Sequence, residues 1–178
     1  MSWVRLAPLL VLATACEWGE PREDVPGDYL GDFSVTAELL ESTCGAGALG
    51  APDHWEFDIR LSRQGRELYW VNGREVIPGT IDDATGLLSF DTRVEVEIEP
   101  AEPPRTGCSV NRFDSARATV DGKDLDIRGF EGTLAYEYAP TEQSDCLELV
   151  LGGTLAQLPC QISYDMSGAR TRSPDSAP

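Results

Sequence analysis

The sequence predicts an all-β chain, an antiparallel meander of about eight strands that closes into a β-barrel in preference to a β-sandwich. Three observations predict it. Apolar and polar residues alternate with period two along most of the chain. Turn signals such as Gln64-Gly65, Asn72-Gly73, Asp82-Asp83-Ala84-Thr85-Gly86 and Asp121-Gly122 recur at short, regular intervals. No long stretch carries the 3.6-residue period of an amphipathic helix.

The strands follow in order. Phe33, Val35, Ala37 and Leu39 alternate with Ser34, Thr36 and Glu38, so the first strand buries one face. The glycine-rich run from Cys44 to Pro52 lacks the Gly-Lys-Ser/Thr ending of a phosphate loop and reads as a flexible connection. Trp55, Phe57, Ile59 and Leu61 against Glu56, Asp58, Arg60 and Ser62 give the clearest alternation in the chain. Gln64-Gly65 turns this second strand into a third, Glu67 to Val71, and Asn72-Gly73 predicts a tight hairpin into a fourth, Glu75 to Ile81. The fifth strand places Leu88, Phe90, Val94, Val96 and Ile98 on one face and Arg93, Glu95, Glu97 and Glu99 on the other. A proline-rich loop, Pro100 to Pro104 and Gly107, leads to a weaker sixth strand from Ser109 to Val120. Asp121-Gly122 predicts the next hairpin, and the seventh strand, Leu125 to Tyr138, carries Phe130, Leu134, Tyr136 and Tyr138 on one face. Residues 147–158 read either as a loop with a helical turn or as a strand pair broken by Gly152-Gly153. Gln161 to Met166 closes the set through Ile162, Tyr164 and Met166.

The N-terminus has a different character. Arg5, an apolar run from Leu6 to Leu12, the small residues Ala13-Thr14-Ala15, then Cys16 and a polar segment have the layout of an export signal. The apolar run is shorter than the roughly 20 residues that cross a bilayer. A cysteine directly after the small residues resembles the signal of a bacterial lipoprotein, with Ala13 at the position where that class usually has Leu. The resemblance implies a signal peptide over 1–15 and Cys16 as a lipidated new N-terminus. Several acyl chains anchor stably, at about 0.8 kcal/mol for each buried CH₂. Glu17 in place of Asp favours the outer membrane under the enterobacterial sorting rule. The alternative is an ordinary secreted protein cut near Cys16. Residues 16–27, with Pro21, Pro26 and Gly27, read as a tether, 28–166 as the barrel domain, and 167–178 as a disordered tail.

The other four cysteines, Cys44, Cys108, Cys146 and Cys160, read as two disulfides in an exported chain. Three pairings are possible. The one expected is a local Cys146–Cys160 staple with a long-range Cys44–Cys108 bridge. In an eight-strand meander the connections after strands one, five and seven open at the same end, so both bridges would staple one rim.

The net charge of −17 argues against nucleic acid and against adsorption of the domain to anionic lipid. No Cys-x-x-Cys pair is present and His54 is the lone histidine, so no metal or other cofactor is expected. The chain has no Gly-x-Ser-x-Gly and no His-Glu-x-x-His, and no catalytic residues are assigned. His54 reads as an exposed residue at the start of a strand. Asp121 to Asp126 and Asp82-Asp83 read as turns, without the spacing of an EF-hand loop. Trp55, Phe57, Trp70, Phe90, Phe130, Tyr136 and Tyr138 are the material for a ligand pocket; the competing reading is a filled barrel core. Arg112 and Arg128 fall in strand-like segments, and either, if buried, would need a carboxylate or an anionic ligand.

Gly31-Asp32-Phe33 leading the first strand of a meander resembles the start of lipocalin-like barrels, with Phe33 where that pattern has Trp. Cys16 and the four later cysteines also resemble small lipoproteins of high-GC Gram-negative bacteria, myxobacteria especially, a group that brings no activity with it. The expected function is a non-enzymatic, lipid-anchored outer-membrane protein, an envelope binding or interaction module of unknown partner, with an envelope protein or a small apolar ligand as the candidates. The alternative is a lipocalin-like carrier of a small apolar ligand, and an enzyme is the least favoured. A carrier requires an apolar cavity of about 300 Å³ or more, open at one rim.

Overall fold

The computed structural model describes residues 25–124 and 126–174. The signal segment, Cys16 and most of the tether lie outside the described residues. Eight strands form a closed antiparallel barrel in which each pairs with its sequence neighbours and β1 pairs with β8. They are β1 Asp28–Ser42, β2 His54–Gln64, β3 Glu67–Asn72, β4 Glu75–Asp82, β5 Leu87–Glu99, β6 Cys108–Lys123, β7 Asp126–Pro140 and β8 Cys160–Arg172. A short helix, α1 Leu147–Leu151, lies in the β7–β8 connection, so 147–158 is a loop with a helical turn. The meander is compatible with lipocalin-like architecture.

The inward residues are those that the alternation marks. Phe33, Val35 and Ala37 of β1, Ile59 and Leu61 of β2, Leu88 and Phe90 of β5, and Ile162, Tyr164 and Met166 of β8 are all buried. Up-and-down connectivity puts the connections β1–β2, β3–β4, β5–β6 and β7–β8 at one rim. The other end is closed by three short turns and by Leu30, Leu68 and Ile127, each fully buried.

Four positions differ from the sequence reading. The last strand does not stop at Met166: Ser167 to Arg172 continue β8, pairing Ser167 with Thr36 and Arg172 with Asp32. Small and polar residues suit this segment because it closes the seam against β1, where pairing, not side-chain bulk, supplies the contact. The Asp121-Gly122 signal marks a bulge instead of a turn. The strands pair on to Lys123 and Asp126, and the register shifts between Asp121 and Gly122. At the Asn72-Gly73 hairpin, Asn72 pairs with Glu75, so the loop is Gly73-Arg74. Gly73 takes φ of +56° there, which places the positive φ on a residue without a Cβ. Val94 shares the face of Leu88 and Phe90, yet it is 40% exposed.

Val94 is exposed because the β4–β5 ladder is short. It runs only from Gly79↔Phe90 to Asp82↔Leu87. β3 pairs with β4 all the way to Glu75, and β6 pairs with β5 to Glu99. Near the rim, Glu75–Pro78 and Asp91–Glu99 therefore have no ladder with each other. Pro78 stands where the ladder ends, and it has no N–H to donate.

The disulfides join Cys44 to Cys160 and Cys108 to Cys146. All four cysteines sit at the same rim, as the meander requires, but the expected pairing is wrong. Cys44 follows β1 and Cys160 opens β8, which are adjacent strands, and Thr43 N–H donates to Gln161 O at 2.8 Å beside the bridge. Cys108 opens β6 and Cys146 follows β7, where Asp145 N–H donates to Gly107 O at 2.9 Å. β1 and β6 share no ladder, so Cys44 and Cys108 do not meet. Neighbourhood around the barrel decided the pairing, and nearness in sequence did not.

Two glycines set how the interior is filled. A Cβ on Gly79 would lie 2.3 Å from the Phe90 ring, and one on Gly168 would lie 2.2 Å from the Phe130 ring. Both rings thus lie flat across a neighbouring strand and plug the closed half. Gly168→Ala is expected to cost about 1–3 kcal/mol in urea unfolding, as overpacking does. Phe130→Leu should relieve part of that cost in a double-mutant cycle. Strictly additive losses would show that the ring does not need the glycine.

Candidate functional site

Above the plugged half is a cavity of about 440 Å³, open at the disulfide rim. Its walls come from β2, β3, β4, β6, β7 and β8, with Leu49–Pro52 of the β1–β2 connection at its mouth. Five of the seven aromatic residues proposed for a ligand pocket line it: Trp55, Phe57, Trp70, Tyr136 and Tyr138. The other two, Phe90 and Phe130, are 4% and 2% exposed and lie beneath it. Trp70 joins the two groups. Its ring centroid is 5.4 Å from Phe90 and 6.2 Å from Phe130 below, and 6.1 Å from Phe57 in the wall. Trp55 continues the wall, 4.5 Å from Phe57. Phe90 and Phe130 are thus buried in the core, and the other five line the cavity, Trp70 belonging to both.

Tyr164 lies 6.5 Å from Trp55 and 6.3 Å from Tyr136, which places it in the same wall. Its place in the alternation of Ile162, Tyr164 and Met166 marks it as inward. Asn72 at the end of β3, and Glu75 and Ile77 on the edge of β4 that has parted from β5, also reach the cavity. All three share the inward parity of Trp70 and Ile81, but Asn72 and Glu75 are polar and carry no hydrophobic mark, and the gap between β4 and β5 is a property of pairing.

The polar part of the cavity is on β6. Arg112 and Asp114 share the inward face with Val110 and Ala116 and line the cavity. Arg112 donates from Nε to Asp114 Oδ1 at 2.7 Å and from Nη2 to Asp114 Oδ2 at 2.8 Å. Its guanidinium lies 5.7 Å from the centre of the Tyr136 ring. Burial works against the charge on Arg112, but the bonds to Asp114 outweigh it and the pKa is raised. Burial also raises the Tyr136 and Tyr138 pKa values, Tyr136 strongly and with help from the Asp114 charge. The Tyr164 hydroxyl is raised by burial and by the charge of Asp53. All three phenols therefore remain neutral hydroxyls that can both donate and accept. Arg128, the other strand arginine, is exposed and pairs with Asp121 at 2.9 Å.

His54 faces out of the barrel, exposed, with Nδ1 2.6 Å from Glu38 Oε1 and Nε2 3.3 Å from Glu56 Oε1. The hydrogen bond to Glu38, then the charge of Glu38, raises its pKa above the usual 6.5. The stabilisation this gives is complete below the unfolded value and is lost as pH rises through the higher folded value. An NMR titration of the imidazole should give a midpoint above 6.5 that falls in Glu38→Gln. A midpoint unmoved by that change would remove Glu38 as the cause.

At the β4–β5 turn, Asp82 Oδ1 accepts from Ala84 N–H at 2.8 Å and from Thr85 N–H at 3.1 Å. These bonds lower the Asp82 pKa, and they make Asp82-Asp83 a turn device.

The cavity can enclose a small molecule against aromatic faces and offer it three hydroxyls, the internally paired Arg112–Asp114 charges and Glu75. The chain matches no known protein family model, no curated protein and no solved structure.

Proposed function

We propose that this chain is a non-enzymatic small-molecule binder, a carrier that holds its ligand in the aromatic cavity of the barrel. The observation that supports the reading is the cavity itself. At about 440 Å³ it exceeds the size a carrier needs, and it opens at one rim. Aromatic walls with a few convergent polar groups are the usual composition of a ligand site.

The carrier is held at the outer membrane through lipid on Cys16. The order of Arg5, the apolar run, Thr14-Ala15 and Cys16 supports this part. The chain enters the barrel at Asp28, at the closed end. A lipid at Cys16 would then tether the closed end and leave the mouth free. Cys16→Ser should move the protein from the membrane fraction to the soluble fraction. Continued acylation and membrane attachment of that variant would end the anchoring reading.

A second reading, docking to an envelope protein, draws support from Leu147 and Leu151 on α1. They are 60% and 77% exposed at the same rim. Native mass spectrometry of protein purified from its own envelope without detergent separates the two. A reproducible extra mass that is lost on mild unfolding is the carrier's result. A bare mass, together with loss of a co-purifying protein in Leu151→Glu, would replace it with the docking reading.

A further inference from the structure

The charges around the cavity are unevenly balanced. Inside it the one guanidinium, Arg112, is already neutralised by two hydrogen bonds to Asp114. An anion would have to displace that carboxylate before it could use Nε or Nη2. Glu75 lines the cavity on the parted edge of β4 and makes no ion pair among the described residues. Asp53, next to the mouth residue Pro52, is near enough for its charge to act on the Tyr164 hydroxyl. Arg74, in the β3–β4 turn, is the nearest cation in sequence and does not line the cavity. Among the residues that line the cavity, the Arg112–Asp114 pair thus cancels and Glu75 is left as the uncompensated charge, in a chain of net charge −17.

The aromatic walls have the same preference. Ring faces carry negative electrostatic potential and attract cations. Arg112 over Tyr136 shows one face already used in this way. Trp55, Phe57, Trp70 and Tyr164 add further rings around the same space.

We propose that the cavity selects a small organic amine in its cationic form, with an apolar ring against the aromatic walls and the charge toward Glu75. This rests on the reading of the cavity as the binding site.

Three probes of similar shape test it by calorimetric titration of the full chain: tryptamine, its uncharged analogue tryptophol, and the anion indole-3-propionate. Tryptamine should bind about tenfold more tightly than tryptophol, with indole-3-propionate weakest. Glu75→Gln changes an exposed side chain and should reduce the preference for tryptamine without changing the circular dichroism spectrum. Asp114→Asn frees Arg112 and should shift the preference toward indole-3-propionate. Tryptophol or indole-3-propionate binding the unaltered protein as tightly as tryptamine would overturn the charge selection and leave the cavity as a binding site. Failure of all three to bind at millimolar concentration would remove both.

Discussion

Replacing Cys44 and Cys160 together by serine is expected to lower the stability of the barrel by about 5 kcal/mol, the largest single effect considered. Their sequence separation is 116 residues, against 38 for Cys108 and Cys146. The entropy that a cross-link removes from the unfolded chain grows with the logarithm of the enclosed loop. The same estimate gives about 4 kcal/mol for the Cys108–Cys146 pair. Position adds to the contrast. The first bridge ties β1 to β8, the seam where the two ends of the sheet meet, beside the Thr43–Gln161 hydrogen bond. The second ties the start of β6 to the long β7–β8 connection. Urea unfolding of the two double-serine proteins measures both costs. Amide exchange near Thr43 and Gln161 should quicken in the first and stay slow in the second. A larger loss for the Cys108/Cys146 pair would mean that the rim connections, and not the seam, limit stability.

Trp70→Ala is the second large effect, about 3–5 kcal/mol, because it removes a big side chain from a site that cannot collapse around the loss. Trp70 is 6% exposed and touches rings above and below it. On its own face of the sheet it pairs with Leu61 of β2 and Ile77 of β4. Phe90 and Phe130 beneath it are held by Gly79 and Gly168 and have no freedom to rise into the space. Trp55→Ala is the control: Trp55 belongs to the same wall but lies higher, half-buried, and its loss opens space that solvent already reaches. The Trp70 variant should unfold at clearly lower urea than the Trp55 variant, and both should weaken the proposed binding of tryptamine. Equal midpoints would mean that the closed half of the barrel does not depend on the ring that caps it.

These two effects divide the molecule along its axis. The closed half is a packed plug whose stability comes from burial. The open half is a rim whose connections bury a small set of residues, Ala48, Leu149 and Leu155 with the disulfide cysteines, and the two cross-links hold them in place. A cavity can persist between them without collapsing, since the plug supports its floor and the disulfides fix its lip. The parted ladder between β4 and β5 leaves Glu75 and Ile77 facing the same space as Arg112.

The sequence by itself determined the number of strands, their approximate limits and their inward faces. Period-two alternation follows from local pleat geometry: each residue's face is set by its neighbours in the chain. It also determined that Cys44, Cys108, Cys146 and Cys160 share one rim, since that depends only on the direction in which each strand runs. Phe33, Ile59, Leu61, Leu88 and Phe130 were readable as interior for the same reason.

Only the tertiary structure decided which cysteines join, because partnership depends on which strands are adjacent around the closed barrel. It alone decided that Ser167–Arg172 is strand, since that segment is ordered by β1, some 130 residues away in the chain. The division of the aromatic residues into floor and wall was likewise hidden. Phe90 and Tyr136 have the same inward alternation, and what separates them is height along the barrel axis and a glycine on the next strand. The Arg112–Asp114 pair completes the list. A strand with a weak pattern showed two charged residues two apart, and only closure of the barrel put both inside, where each is the other's neutralising partner.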